Sequence, residues 1–350
     1  MKKILFAAIA ALLMAGCQQE NPESINPVIK GFLVLNNGNW GGNDASVSLY
    51  NPDDKSVTGD VFFNANSQCL GDLGQDVVVS GSEIYIAVNG SKVVFVTDLE
   101  LKIKKAIEAD GTDGSKLSPR CFAVNGGKVY VTYQEGYLGE ISSDYSVRTT
   151  AVGSYPEGIC ISNGKAYVAN SGYGSGNTLS VVDLTAFKEI KKIEVNKNPQ
   201  SIVADDSGMT LYVCSWDSYD PATYAVISPS KLQKINLADD SVTDLEYKDV
   251  KAIARGDENK LLVATAGYDE NFQLVATVRQ IDMASGTDTG KVIGDTFDNY
   301  YSLSFSCGHI FIGTSDYTTN GDVYVYESNG VFVDKFDSEG LNPQKVVSLK

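Results

Sequence analysis

The chain has 350 residues, a formal charge of −16 and a hydrophobic share of 43%. So acidic a surface repels phosphate backbones and anionic headgroups, which argues against nucleic acid and against peripheral membrane binding. One His in the whole sequence excludes multi-His copper sites and paired-His haem ligation by count.

The first sixteen residues read as an address. Lys2 and Lys3 form a short basic region, and Ile4 to Leu13 an apolar run too short to span a bilayer, as in a signal peptide. The run ends in Leu13-Met14-Ala15-Gly16-Cys17, which resembles the bacterial lipobox, and so implies that Cys17 is lipidated and becomes the first mature residue. Without the two lysines the charge moves from −16 to −18. Residues 17–30 hold Pro22, Pro27 and little that could bury, as expected of a flexible tether. Glu20 and Glu23, soon after Cys17, resemble the surface-export signal of Bacteroidetes lipoproteins and imply an outer-membrane location, facing outward.

From residue 31 onward the sequence repeats. The unit is a Pro, a short apolar strand, a tight turn and a second apolar strand with a central aromatic. Pro119 to Val124 with Lys128 to Thr132, Pro156 to Ile161 with Lys165 to Ala169, and Pro199 to Ala204 with Thr210 to Cys214 are its clearest copies. Weaker copies start near Gly74, Val250 and Tyr300. A third strand such as Leu179 to Asp183 and a more polar fourth such as Glu189 to Val195 complete each unit. Four antiparallel strands recurring every 37 to 51 residues are the mark of a β-propeller blade. Residues 31 to 61 offer only three strands, Phe32 to Leu35, Ala45 to Tyr50 and Val57 to Val61. The C-terminal Asn342-Pro343-Gln344 echoes Asn198-Pro199-Gln200 and supplies the missing first strand. The expectation is an all-β fold over 31–350: seven four-stranded antiparallel blades, the ring closed by the C-terminal strand joining the first blade, which removes open sheet edges.

Tyr85, Tyr130, Tyr167 and Tyr212 recur at one place in the second strands and are expected to fill the gaps between blades. Asp98, Asp183 and Asp282, after third strands, are expected to cap turns. Five cysteines follow Cys17: Cys69, Cys121, Cys160, Cys214 and Cys307. An odd number cannot all pair, and most read as buried small hydrophobes, with a Cys69–Cys121 pairing left open.

The turns between first and second strands are short, as at Ser80 to Ser82 and Asn125 to Gly127. The loops of the opposite face are long and mix aromatic with small polar residues, a recognition composition. They are 36–43, 170–177, 215–224, 266–272, 315–320 and, between blades six and seven, 295–301. From this placement the candidate ligand contacts are Asn39, Trp40, Tyr173, Trp216, Tyr219, Tyr268 and Tyr301. An aromatic giving about 100 Å² of contact contributes roughly 2.5 kcal/mol. Four to six of them reach about 10–15 kcal/mol, against about 4–15 kcal/mol for immobilising the ligand. Tight binding therefore requires a ligand that touches several blades, such as a macrocycle, a glycan chain or a protein.

For catalysis the sequence offers little. His309 stands beside a strand on the short-turn face, Walker and dinucleotide motifs are missing, and no EF-hand spacing occurs. Asp217, Asp220, Asp269, Glu270, Asp295 and Asp298 could converge on the loop face, which leaves open a Ca²⁺ site and, as a third reading of function, a carboxylate-based lactonase or hydrolase. The chain is expected to be a binding protein rather than an enzyme, with no metal ligands assigned and no resident cofactor.

The repeats, with Val182-Asp183-Leu184 closing a third strand, resemble the YncE-like seven-bladed propellers over the whole mature chain. Leu33 to Trp40 followed by Gly71-Asp72-Leu73-Gly74-Gln75-Asp76 resembles a Bacteroidetes lipoprotein branch that includes the BtuG-type surface cobalamin-binding proteins. That resemblance implies a corrinoid ligand on the loop face, passed to a TonB-dependent outer-membrane transporter. The branch includes members of unknown ligand, and the contact residues rest on loop placement alone. A protein- or glycan-binding scaffold of a nutrient-uptake complex is the second reading.

Overall fold

The computed structural model describes residues 31–349; the signal segment, Cys17 and the tether lie outside them. Seven four-stranded antiparallel sheets form a β-propeller, as the repeat predicts. Blade one combines Pro343–Leu349, innermost, with Gly31–Asn36, Ser46–Asn51 and Ser56–Thr58. Blades two to seven begin at inner strands Gly74–Ser80, Pro119–Asn125, Pro156–Ser162, Pro199–Ala204, Val250–Arg255 and Tyr300–Ser306. Each inner strand touches the next around the ring, and Pro343–Leu349 touches both the blade-two and the blade-seven inner strands.

Among the described residues the core divides into seven apolar clusters, each shared by two adjacent blades. The period of two along the second strands explains this. In Lys128–Tyr133, Tyr130 packs with blade-four residues, while Val129, Val131 and Tyr133 pack with blade-two residues. A strand buried on both faces reads as a continuous apolar run, which is what these segments are. Tyr85, Tyr130, Tyr167 and Tyr212 are all buried, each in the cluster shared with the following blade, and fill the interblade gap as expected. Leu33, Leu262 and Phe311 do the same for blades one, six and seven. Asp98, Asp183 and Asp282 accept turn N–H groups, again as expected.

Three details differ from the sequence reading. The outer strand of blade one stops at Thr58, and Val61–Asn66 forms a short helix instead of extending it. Phe62 turns inward onto Phe95 (5.2 Å between centroids), and Asn66 bonds Leu101 O and Ile103 N of blade two, so side-chain burial overrides strand propensity there. The segment 295–298 is not loop but the end of a long strand, Thr287–Asp298, because Phe297 is buried in the cluster shared with blade seven. Part of 215–224 forms a small hairpin of its own, Ser218–Tyr219 with Val226–Ser228. The open question of a Cys69–Cys121 bond is answered in the negative: Cys69 is exposed beyond the short helix, Cys121 lies in an inner strand, and both are free. Among the described residues no helix is long and apolar enough to cross a membrane.

Two outcomes follow from this packing. Tyr212 is fully buried and its hydroxyl donates to Met283 O at 2.6 Å. Tyr212→Ala should destabilise by about 3–5 kcal/mol and Tyr212→Phe by about 1 kcal/mol, read from urea-unfolding midpoints. Burial pushes the Cys121 and Cys214 thiols up to about 12 and Cys160 to about 11. Thiol titration of the native protein should therefore modify exposed Cys69 quickly and those three only after denaturation.

Candidate functional site

In all seven blades the pairing of the inner strand slips at the same place, just after its first residue. Such β-bulges leave a residue out of the ladder and re-aim its side chain. Gln75, Gln200 and Gln344 are the odd residues of blades two, five and one; Lys251 and Tyr301 those of blades six and seven. In blades three and four two residues face one, Arg120 with Cys121 and Glu157 with Gly158. Because the inner strands form the wall of the central channel, the bulged residues ring its mouth. Arg120 shows how close they come: its guanidinium donates to Gln75 Oε1 (2.9 Å) in one neighbouring blade and to Glu157 Oε2 (2.8 and 2.5 Å) in the other.

The charges at this mouth are paired. Burial pushes the Glu157 carboxyl up while Arg120 beside it pulls it back. Lys251 lies 3.5 Å from Asp217, and one layer lower Lys345 lies 2.5 Å from Asp76. Removing one member of so buried a pair as Arg120–Glu157 leaves the other unpaired, at a cost of about 3–5 kcal/mol.

Around the mouth stand the loops between second and third strands. Ten aromatic side chains are exposed among the described residues, and all but Phe63 and Phe332 lie in these loops or, as Tyr268 does, on the strand end that opens one. Trp40 (85% exposed), Tyr173 (82%) and Tyr268 (73%) stand nearly free, and Trp216 and Tyr219 are about half covered. Phe272, Tyr224 and Tyr317, which were not among the candidates, add to them. The loops brace one another. Ser218 Oγ donates to Gly174 O, joining blades five and four, and Asn39 Nδ2 donates to Tyr317 O, joining blades one and seven. Burial raises the Tyr219 and Tyr317 phenols, with Asp217 adding at Tyr219 and Tyr268 contributing less at each. The aromatics thus form a crescent over blades four to seven and one, whereas the corresponding turns of blades two and three, 89–92 and 134–136, are short.

Of the seven candidates, Trp40, Tyr173, Trp216, Tyr219 and Tyr268 belong to this crescent. Trp216 offers its ring only, since Nε1 donates to Lys251 O at 2.6 Å. Asn39 has both ends of its amide engaged, Oδ1 accepting from Asn342. Tyr301 is not in a loop: it is a bulged inner-strand residue, half-buried edge-on against Tyr317, with centroids 5.8 Å apart. The acidic residues divide in the same way. Asp217, Asp220 and Asp269 accept loop N–H groups, and among the described residues no group of three His, Cys, Asp or Glu could hold a metal ion. His309 rests its Nδ1 on Cys307 O and its ring edge-on near Phe32. Apart from Tyr301, the bulged residues were not among the candidates, although the position after each repeat Pro marked most of them.

The model of a family described as a domain of unknown function, DUF5074, matches residues 30–249. The chain belongs to that family. The match ends one residue before blade six, so the closed ring extends beyond the family model. Among curated proteins nothing matches. Among solved structures, a putative 6-phosphogluconolactonase from Bacteroides fragilis is similar at TM-score 0.59 and 10% identity, over 94% of this chain and 100% of that one. Hydrazine synthase of Kuenenia stuttgartiensis follows at 0.57 and 17%, over 73% and 77%. Apo AztD from Citrobacter koseri is similar at 0.54 and 10%, over 91% and 98%. At these identities the DUF5074 chain shares a fold with them and nothing more is implied.

The buried phenols give a pH signature. Burial raises the hydroxyls of Tyr50, Tyr133, Tyr300 and Tyr301 well above the ordinary tyrosine value. An acid whose proton is held more tightly when folded stabilises fully below its unfolded value, about 10 for tyrosine, and less as pH rises past it. Unfolding midpoints should therefore fall between about pH 9 and about pH 11, with part of the tyrosinate absorbance appearing only on unfolding.

Proposed function

We propose that this propeller is a cell-surface lipoprotein that captures a large, flat ligand on its aromatic face, a corrinoid such as cobalamin, and hands it to a TonB-dependent outer-membrane transporter. The observation that carries this reading is the gathering of eight exposed aromatics on one face of the ring. Exposed rings cost solvation and contribute nothing to the core, and their concentration in mutually braced loops fits a rigid platform. A corrin macrocycle spans several blades, lies flat on Trp and Tyr rings and carries peripheral amides. It needs no His from the protein. Lipidation at Cys17 would hold the platform at the membrane and residues 18–30 would serve as its tether. We read the protein as a binder and not an enzyme, because Asp217, Asp220 and Asp269 are committed as acceptors of loop N–H groups.

The blade-five hairpin favours a second reading. Tyr224, Val226 and Ile227 are exposed near its tip, an apolar projection suited to a protein partner of an uptake complex.

Calorimetric titration of the full chain in detergent with cyanocobalamin tests the first reading. Binding should be sub-micromolar, and Trp40→Ala or Trp216→Ala should each weaken it by about tenfold, or ~1.4 kcal/mol. No heat and no shift in melting temperature would remove corrinoids as the ligand and leave the protein-partner reading.

A further inference from the structure

The bulge ring beneath the crescent has a definite chemistry. Its cations are answered within the chain, Arg120 by Glu157 and Lys251 by Asp217, as is Lys345 one layer lower by Asp76. Its uncharged members are not fully used. Gln344 makes no side-chain hydrogen bond among the described residues, although it is only half-exposed at the closing strand. Gln75 accepts from Arg120 and Gln200 donates to Asn198, which leaves the Gln75 amide N–H groups and the Gln200 carbonyl without described partners. The Tyr301 hydroxyl is likewise unpartnered, on a half-buried ring held edge-on by Tyr317. Half-buried polar groups without partners, set in a rigid wall, are hydrogen-bonding capacity held ready for something else.

We propose that the channel mouth is a charge-neutral subsite that takes one uncharged carboxamide or hydroxyl group of the bound ligand and discriminates against a carboxylate in its place. An amide can accept from the free N–H groups of Gln75 or Gln344, or donate to the Gln200 carbonyl or the Tyr301 hydroxyl. A carboxylate has no donor for Gln200, and the mouth has no free cation to offset its desolvation. The chain's net charge of −16 adds to the penalty. This subsite rests on the reading of the face above it as the ligand platform.

The test compares cyanocobalamin with its monocarboxylic acids, each made by hydrolysing one side-chain amide, by calorimetry on the full chain in detergent. At least one acid should bind the wild type about tenfold more weakly than the parent, the worth of one well-placed hydrogen bond with its desolvation. Gln344→Ala should weaken the parent and shrink that difference. Glu157→Gln, which leaves the Arg120 cation unanswered, should improve binding of the same acid relative to the parent. Trp216→Ala should weaken parent and acid equally. If Glu157→Gln does not fold, Gln344→Ala decides alone, since that side chain has no described partner to lose. Parent binding with all acids equal to it, or a difference untouched by Gln344→Ala, would overturn the subsite and leave the platform standing. Absence of cyanocobalamin binding altogether would overturn the corrinoid platform and this subsite with it.

Discussion

Everything in this molecule depends on one strand pairing between the two ends of the described chain. Gly31–Asn36 pairs in antiparallel register with Pro343–Leu349, Leu33 opposite Val347 and Val34 opposite Val346. A propeller is a stack of sheets bent into a circle, and its blades are stabilised by their neighbours on both sides. An unclosed stack would leave two blade faces and their apolar residues in water. Here Leu349 joins the cluster shared by blades one and two, and Val346 the one shared by blades seven and one, so the closing strand seals both seams. The chain must bring together residues some 300 apart, a slow, non-local contact, and tolerates that because every other blade is built from near neighbours.

Closure also creates the site. Seven inner strands crowd a common axis, and each relieves the crowding with a bulge at its first turn. The bulges convert a wall of ladder-bonded backbone into a ring of side chains at the channel mouth, and that ring could not exist in an isolated blade. Arg120 touches Gln75 and Glu157 only because blades two, three and four meet at the axis. The same is true higher up: the loops of blades four to seven and one brace each other through Ser218–Gly174 and Asn39–Tyr317, which holds the aromatic crescent without a core of its own.

The division of labour among polar residues is plain in this arrangement. Asn36, Asn37, Asn89, Asn170 and Asn342 spend their amides on backbone or hydroxyl groups at the blade tops. Loop aspartates spend their carboxylates on turns. The exposed rings and the unpartnered amides are what the mouth and its loops present to solvent, and a binding surface made of those two parts suits a ligand with a flat face and uncharged polar edges.

The sequence alone determined the blade count, the shared first blade, the filling of interblade gaps by Tyr85, Tyr130, Tyr167 and Tyr212, and the face that carries the long loops. Each of these is a periodic feature, and periodicity survives in one dimension because each blade repeats the same local burial problem. Tertiary structure decided what each loop residue has left to offer. Asn39 and the Trp216 N–H looked available and are engaged by other blades; Tyr301 looked like a loop residue and belongs to the channel wall. Phe62 and Phe297 likewise took helix and strand because a neighbouring blade buries them. The bulge ring was written in the chain as the residue after each repeat's first position, but three glutamines, an Arg, a Glu, a Lys and a Tyr at that position do not announce a shared role. Only closure of the ring brings them to one place, where their charges cancel and their amides are left over.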